Sequence, residues 1–219
     1  MSPTGPCTRL NHRVGTGPIK FIKISVCDAV AFQGHTGERY TQENKTMVQN
    51  WKEVGPNRYR ETFGRYFEDF KVGDVYEHRP GKTITENDNH HFTLLTLNTH
   101  PIHFDREFGA ATEFGQNLVV SPYTLSLVIG MSVTDCSQKA IANLGMDEVK
   151  FTAPVFAGDT LYAESEVLEK RESKSRPGQG IVRILTRGVK HSGEEVCSFK
   201  RSMLIPARGH AVEDKIDNY

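Results

Sequence analysis

The sequence lacks net charge, paired cysteine motifs and long apolar runs, and each absence excludes a class of protein. Lysine plus arginine and aspartate plus glutamate both number 27. The chain therefore has no excess of cations of the kind that a duplex nucleic-acid surface requires. No run approaches the ~18 consecutive apolar residues of a membrane span. We expect neither nucleic acid nor a membrane as a partner.

Cysteine is also scarce. Cys7, Cys27, Cys136 and Cys197 are scattered, with no C-x-x-C pair. This spacing disfavours a structural zinc site and the dense disulfide framework of small secreted domains. The sequence therefore predicts a soluble intracellular protein that folds in a reducing compartment.

Acidic residues are absent from the first 27 positions, a bias typical of organellar transit peptides. Prolines and glycines in the same stretch oppose the amphipathic helix that such peptides form, so a disordered start is the alternative. We predict cytoplasmic localisation, or mitochondrial localisation if residues 1–27 are a transit peptide. Residues 1–62 are interpreted as an N-terminal extension with a short helix around Trp51, residues 63–208 as the folded domain and 209–219 as a tail.

Helix-cap residues and the order of apolar and polar residues in the domain predict two helices followed by four strands. Thr85, with Asp88 three residues later, is a typical helix cap; this helix should stop before Pro101, because the residue before a proline avoids helical angles. Ser121 and Pro122 should cap and begin a buried helix that ends near residue 135. Alternating strands follow, and they predict an antiparallel sheet with one wet face. Their sequences are ANLGMDEVKFT, TLYAESEVLEKRES, GIVRILTRGVK and EEVCSFKRSMLI. The fold class is α+β, with the sheet curled around the long helix.

Over roughly residues 64–205 the chain resembles the MaoC-like, (R)-specific enoyl-CoA hydratase family, which has the hot dog fold. The segments that carry the resemblance are FEDFKVGD, TITEND, NTHPIHFD, the FG before the buried helix, and APVFAGDTLYAESEVLEKRESKSRPGQGIV. The family's usual corner reads Asp-x-Asn-Pro-Ile/Leu-His, with its Asp and His as the catalytic pair. Here the His position is His103, the Asp position is Asn98 and the Asn position is His100. The mesaconyl- and itaconyl-CoA hydratase-like subset is similar in having Asn at that place.

The resemblance implies reversible hydration of a trans-2-enoyl-CoA to a 3-hydroxyacyl-CoA. Histidine suits the acid–base step, because its ordinary pKa of about 6.5 lies near working pH. Asn98 cannot ionise, so it can only orient the water while His103 carries the protons. The amide N–H of Ser121, at the start of the buried helix, is the expected donor to the thioester oxygen.

Coenzyme A enters as part of the substrate, and we expect no metal and no separate cofactor. A basic cluster at the tip of a predicted hairpin, which begins with Lys170 and includes Arg171, Lys174 and Arg176, suits the CoA phosphates; a solvated hairpin tip is the alternative. His100 is expected to support His103 or to face solvent. A metal site built from His90, His91, His100 and His103 is disfavoured, because the proline breaks the helical spacing of an H-x-x-H pair.

The open edges of one sheet predict a homodimer or a higher even homo-oligomer. Two rival functions remain: a hot dog acyl-CoA thioesterase that uses the same helix, and a non-catalytic acyl-CoA binding domain.

Overall fold

A five-stranded antiparallel sheet dominates the computed structural model, which describes residues 51–216. Its strands are β3 (Val75–Thr83), β4 (Ala142–Phe151), β5 (Thr160–Glu172), β6 (Gln179–Lys190) and β7 (Glu195–Pro206). They lie in the order β3-β5-β6-β7-β4, and each neighbouring pair is antiparallel. The predicted α+β architecture and its four C-terminal strands are confirmed.

A separate hairpin precedes this sheet and corrects one prediction. β1 (Trp51–Gly55) and β2 (Arg58–Glu61) pair antiparallel, so the helix expected around Trp51 is wrong for the described residues. The Trp51 and Tyr59 rings pack edge to face with their centroids 5.0 Å apart, a cross-strand aromatic pair of the kind that stabilises hairpins. The transit-peptide prediction for residues 1–27 falls outside the described residues.

Three helices lie among the described residues before the last four strands: α1 (Glu86–Leu95), α2 (Arg106–Ala110) and α3 (Ser121–Met131). The predicted cap of α1 is confirmed, because the Thr85 hydroxyl accepts from the Asp88 amide and the Asp88 carboxylate accepts from the Thr85 amide. The start of α3 differs by one residue from the prediction. Val120 is the N-cap, Ser121 is the first helical residue, and a π-helical turn over residues 133–137 follows.

The core forms where α3 lies against the sheet. Val128, on α3, is fully buried in a cluster with Leu161, Ala163 and Phe199. A Cβ on Gly188 of β6 would meet a Val128 methyl at 2.5 Å, so this glycine lets the helix approach the sheet closely. The buried helix is thereby held along the face of β3, β5 and β6.

Across residues 51–216, no helix combines the length and apolar character needed to cross a membrane. Cys136 and Cys197 carry free thiols and are both buried.

Candidate active site

The predicted polar corner is a tight turn between α1 and α2. Residues Pro101–His103 form a single 3₁₀ turn, and Asp105 caps α2 by accepting from the Phe108 amide at 3.1 Å. α1 ends at Leu95, ahead of Leu97 with its positive φ of 54°, and Pro101 fixes the backbone angle at the start of the turn. Consequently His103 leaves the end of a short rigid turn rather than a flexible loop.

The backbone selects the tautomer of His103. Its Nδ1 lies 3.0 Å from the carbonyl oxygen of Leu118, and a carbonyl oxygen can only accept. Nδ1 therefore carries the hydrogen in the neutral ring, and Nε2 has a free lone pair. The residue is half-buried, so Nε2 can act as a base on a small molecule that reaches the corner.

Asn89, on α1, connects the corner to the start of α3. Its Nδ2 donates to the carbonyl oxygens of His103 at 2.8 Å and Leu118 at 3.0 Å, and its Oδ1 accepts from the Val120 amide at 2.9 Å. The side chain is 4% exposed. These partners fix its amide orientation, because two acceptors face the nitrogen and one donor faces the oxygen.

Asn89 is a site residue that sequence reasoning missed. The only available signal was a residue of poor helix propensity inside a predicted helix. The residue before it, Asp88, forms an ion pair with Lys82 at 3.0 Å, which anchors the first turn of α1. Hydrogen bonds from the Thr85 amide and hydroxyl, together with this lysine, hold the pKa of the Asp88 carboxyl below its usual value.

Ser121 presents an amide that has no hydrogen-bond acceptor among residues 51–216. The preceding amide, of Val120, is occupied by Asn89, and Pro122 has no N–H. The Ser121 N–H is therefore available to bind a ligand atom at the positive end of the α3 dipole. Asn89 therefore links the backbone of His103 to the residue that precedes Ser121, and Leu118, three residues before Ser121, binds the His103 ring.

Asn98 and His100 complete the corner in ways that the sequence did not predict. The Asn98 Oδ1 accepts from the His100 amide at 3.1 Å, and the His100 Nδ1 accepts from the Ile102 amide at 3.2 Å. Asn98 therefore braces the turn, and its oxygen keeps one lone pair for another donor. The His100 and His103 ring centroids are 5.9 Å apart.

The cationic hairpin tip is not part of this corner. Arg171, Lys174 and Arg176 are exposed at the end of β5 and in the following turn. The corner instead lies near the start of β5, because Leu118, which binds the His103 ring, pairs with Phe156 just before that strand. Eleven residues of extended strand separate Thr160 from Arg171, or roughly 35 Å. Lys170, which we expected in the cluster, instead donates to the carbonyl oxygens of Glu68 and Phe70.

A cavity of about 570 Å³ opens at the other end of α3 and includes none of the predicted site residues. His78 and Asp135 line it, and with Cys136 they form the one cluster among residues 51–216 with metal-ligand spacing. Burial lowers the pKa of His78 and raises that of the Cys136 thiol to about 12, and the Arg65 guanidinium lies 2.9 Å from Asp135. A protonated thiol and an adjacent cation both disfavour a metal ion.

Comparisons with known proteins converge on one family. The family model described as mesaconyl-CoA hydratase matches residues 53–217. A mesaconyl-CoA hydratase of Haloarcula marismortui is 36% identical over 152 residues, which are 69% of this chain and 42% of that protein. The chain thus spans about two fifths of the length of the mesaconyl-CoA hydratases that it matches.

Solved structures give the same fold. A MaoC domain protein of Chloroflexus aurantiacus has a TM-score of 0.64 at 32% identity, over 66% of this chain and 41% of that one. A Mycobacterium tuberculosis protein with a double hot dog fold has a TM-score of 0.62 at 26% identity, over 68% of this chain and 47% of that one. The hot dog fold predicted from the sequence is confirmed.

Proposed function

The chain belongs to the mesaconyl-CoA hydratase family of MaoC-like hot dog proteins, and from that membership we propose that it reversibly hydrates a trans-2-enoyl-CoA to a 3-hydroxyacyl-CoA. One observation supports this proposal above the others. The imidazole of His103 is held through Nδ1, with Nε2 free, and Asn89 links the His103 backbone to Val120, the residue before the Ser121 N–H that has no acceptor among residues 51–216. Hydration of a conjugated thioester needs a base and an oxyanion donor at one site.

The reaction balances with these two groups. His103 Nε2 takes a proton from water while the water oxygen bonds to C3 of the substrate. The π electrons of the C2–C3 bond move toward the thioester oxygen, where the Ser121 N–H stabilises the developing negative charge. His103 then returns the proton to C2, and the catalyst is restored. Dehydration follows the same steps in reverse.

Asn98 acts as a brace in this proposal, because its amide cannot take up a proton. Its Oδ1 holds the His100 amide and keeps one lone pair that can orient the attacking water. The whole proton transfer therefore falls on His103. Such acid–base help is typically worth about 10²–10⁴-fold in rate.

For the substrate we propose a short branched or dicarboxylic acyl group. Support comes from the family model and from the Haloarcula relative, both of which carry the name mesaconyl-CoA hydratase. Asn98 adds to it, because the mesaconyl- and itaconyl-CoA hydratase-like subset is similar in having Asn where the wider family has Asp.

We further propose that the site works in an assembly of two hot dog units, in which a second copy of the chain supplies the partner unit. Among residues 51–216, β4 is an edge strand of the sheet with no partner on its outer side, and apolar residues in this strand or next to it are exposed. They are Ile141, Leu144, Met146, Val149 and Phe151. Such an edge is normally covered. In this assembly the cationic hairpin tip of Arg171, Lys174 and Arg176 would contact the CoA phosphates bound at the partner's corner.

The test is a substrate panel with two readouts. Purified protein is incubated with mesaconyl-CoA and crotonyl-CoA, while loss of the enoyl-thioester absorbance and release of free CoA thiol are followed together. The proposal expects absorbance loss without thiol release, and faster turnover of mesaconyl-CoA. Thiol release would indicate a thioesterase, and thermal stabilisation by acyl-CoA without turnover would indicate a binding domain.

A further inference from the structure

The two imidazoles of the corner are held in opposite tautomers, and this observation is independent of any relative. His103 must carry its hydrogen on Nδ1, because that atom faces the Leu118 carbonyl oxygen. His100 must have a bare Nδ1, because that atom accepts from the Ile102 amide at 3.2 Å. In the neutral rings, His103 therefore presents a lone pair at Nε2, whereas His100 presents an N–H at Nε2.

The rings of His100 and His103 are also close to each other, at a defined angle. Their centroids are 5.9 Å apart, with the ring planes tilted by 60°. Phe108 packs edge to face against His100, with the centroids 6.0 Å apart, which restricts rotation of that ring. His100 is exposed and His103 is half-buried, and neither Nε2 atom has a hydrogen-bond partner among residues 51–216.

From this pair we infer that His100 is a further catalytic residue: its neutral ring donates a hydrogen bond to the oxygen of the reacting water. The inference rests on the hydration function proposed above. The water gives one proton to His103 Nε2, and its oxygen accepts from the His100 Nε2–H. No proton leaves His100. In the reverse direction, the same N–H stabilises the negative charge on the departing hydroxide, as fixed donors do wherever charge develops.

This role fits the replacement of a carboxylate by Asn98. With a single proton-transferring group at the corner, a further contact can hold the water oxygen without taking part in the proton transfer. The Nε2–H of a neutral His100 can donate to the water oxygen, and it leaves the Nε2 lone pair of His103 free to accept the proton. Its position is fixed by the turn, since Asn98 and Ile102 hold the His100 backbone and ring from both sides.

Two substitutions separate the structural contact from the chemical one. Asn in His100→Asn places an amide oxygen near the Nδ1 position, so the Ile102 amide keeps its acceptor while the distal N–H is lost. Gln in His100→Gln reaches the Nε2 position with an amide N–H but gives up the acceptor for Ile102. A structural role predicts that Gln is the worse substitution, whereas the inferred role predicts that Asn is worse.

The experiment measures kcat and KM for mesaconyl-CoA hydration with each variant, and the tautomers of ¹⁵N-labelled wild-type protein by NMR. We expect His100→Asn to lower kcat by about 10²-fold, near the lower end of the loss seen when one fixed donor is removed, with KM little changed. His100→Gln should stay within about 10-fold of wild type. His100→Asn at the wild-type rate, or equal losses in both variants, would overturn the inference.

The NMR measurement distinguishes failure of the His100 inference from failure of the proposed hydration function. It should show Nε2–H at His100 and Nδ1–H at His103 in the free protein, whether or not any substrate is hydrated. Two rings in the same tautomer would contradict the inferred pair. An inactive wild-type protein with opposite tautomers would instead reject the proposed function, and His100 would then have no reaction to assist.

Discussion

Replacing Asn89 by leucine should both destabilise the fold and loosen the proposed site. The change removes the side chain that donates to the carbonyl oxygens of His103 and Leu118 and accepts from the Val120 amide. Val120 is buried and its amide has no other partner among residues 51–216, so leaving it unpaired costs about 1–3 kcal/mol. The two carbonyl groups are partly exposed and lose a net ~0.5–1.5 kcal/mol each.

The expected loss in the free energy of unfolding is therefore about 2–6 kcal/mol, measured by urea denaturation followed by far-UV circular dichroism. Asn87→Leu is the matched control, because Asn87 lies on the same helix and is exposed; it should change stability by less than about 0.5 kcal/mol. In the folded fraction, a displaced His103 should also lower kcat, since about 1 Å of misplacement can cost 10²-fold. Equal stability and activity of the two variants would refute the assigned role of Asn89.

Three further predictions concern regions outside the corner. Because burial holds the folded-state pKa of His78 below 6.5, the unfolded chain binds more protons in mildly acidic solution; stability should fall as pH drops below 6.5, and His78→Gln should reduce this slope in urea titrations. Leu144→Lys on the exposed β4 strand should shift the protein toward monomer in light scattering, and an unchanged mass would place the interface elsewhere. Arg176→Ala should raise KM for acyl-CoA and leave kcat unchanged if the hairpin tip contacts CoA phosphate, whereas an unchanged KM would indicate a solvated tip.

The sequence was informative wherever local chemistry decides the structure. The capped start of α1 at Thr85 and the alternating burial along β5 and β6 depend on neighbouring residues. The helix around Trp51 was predicted wrongly, because the stretch before it is polar and carries no strand alternation. What forms the hairpin is a pairing with Tyr59 across a turn.

The candidate site was predictable only in part. His103 and Ser121 were named from the family frame, and Asn89 links the His103 backbone to the residue before Ser121. The tautomers of the two histidines depend on the Leu118 carbonyl and the Ile102 amide, and no spacing in the sequence reveals such contacts. Asn89 is distant from residues 103 and 120 along the chain, so its role depends on how α1 packs. The distance of Arg171 from the corner likewise follows from the length of β5.

The most direct test compares the hydration rate of wild-type protein with that of His103→Ala, using an enoyl-CoA that wild type turns over. His91→Ala, an exposed histidine of α1, serves as the control. If His103 carries the proton transfer alone, kcat should fall by about 10²–10⁴-fold, while the control stays near wild type and acyl-CoA still raises the melting temperature of His103→Ala. A His103→Ala protein that hydrates substrate at the wild-type rate would contradict the account.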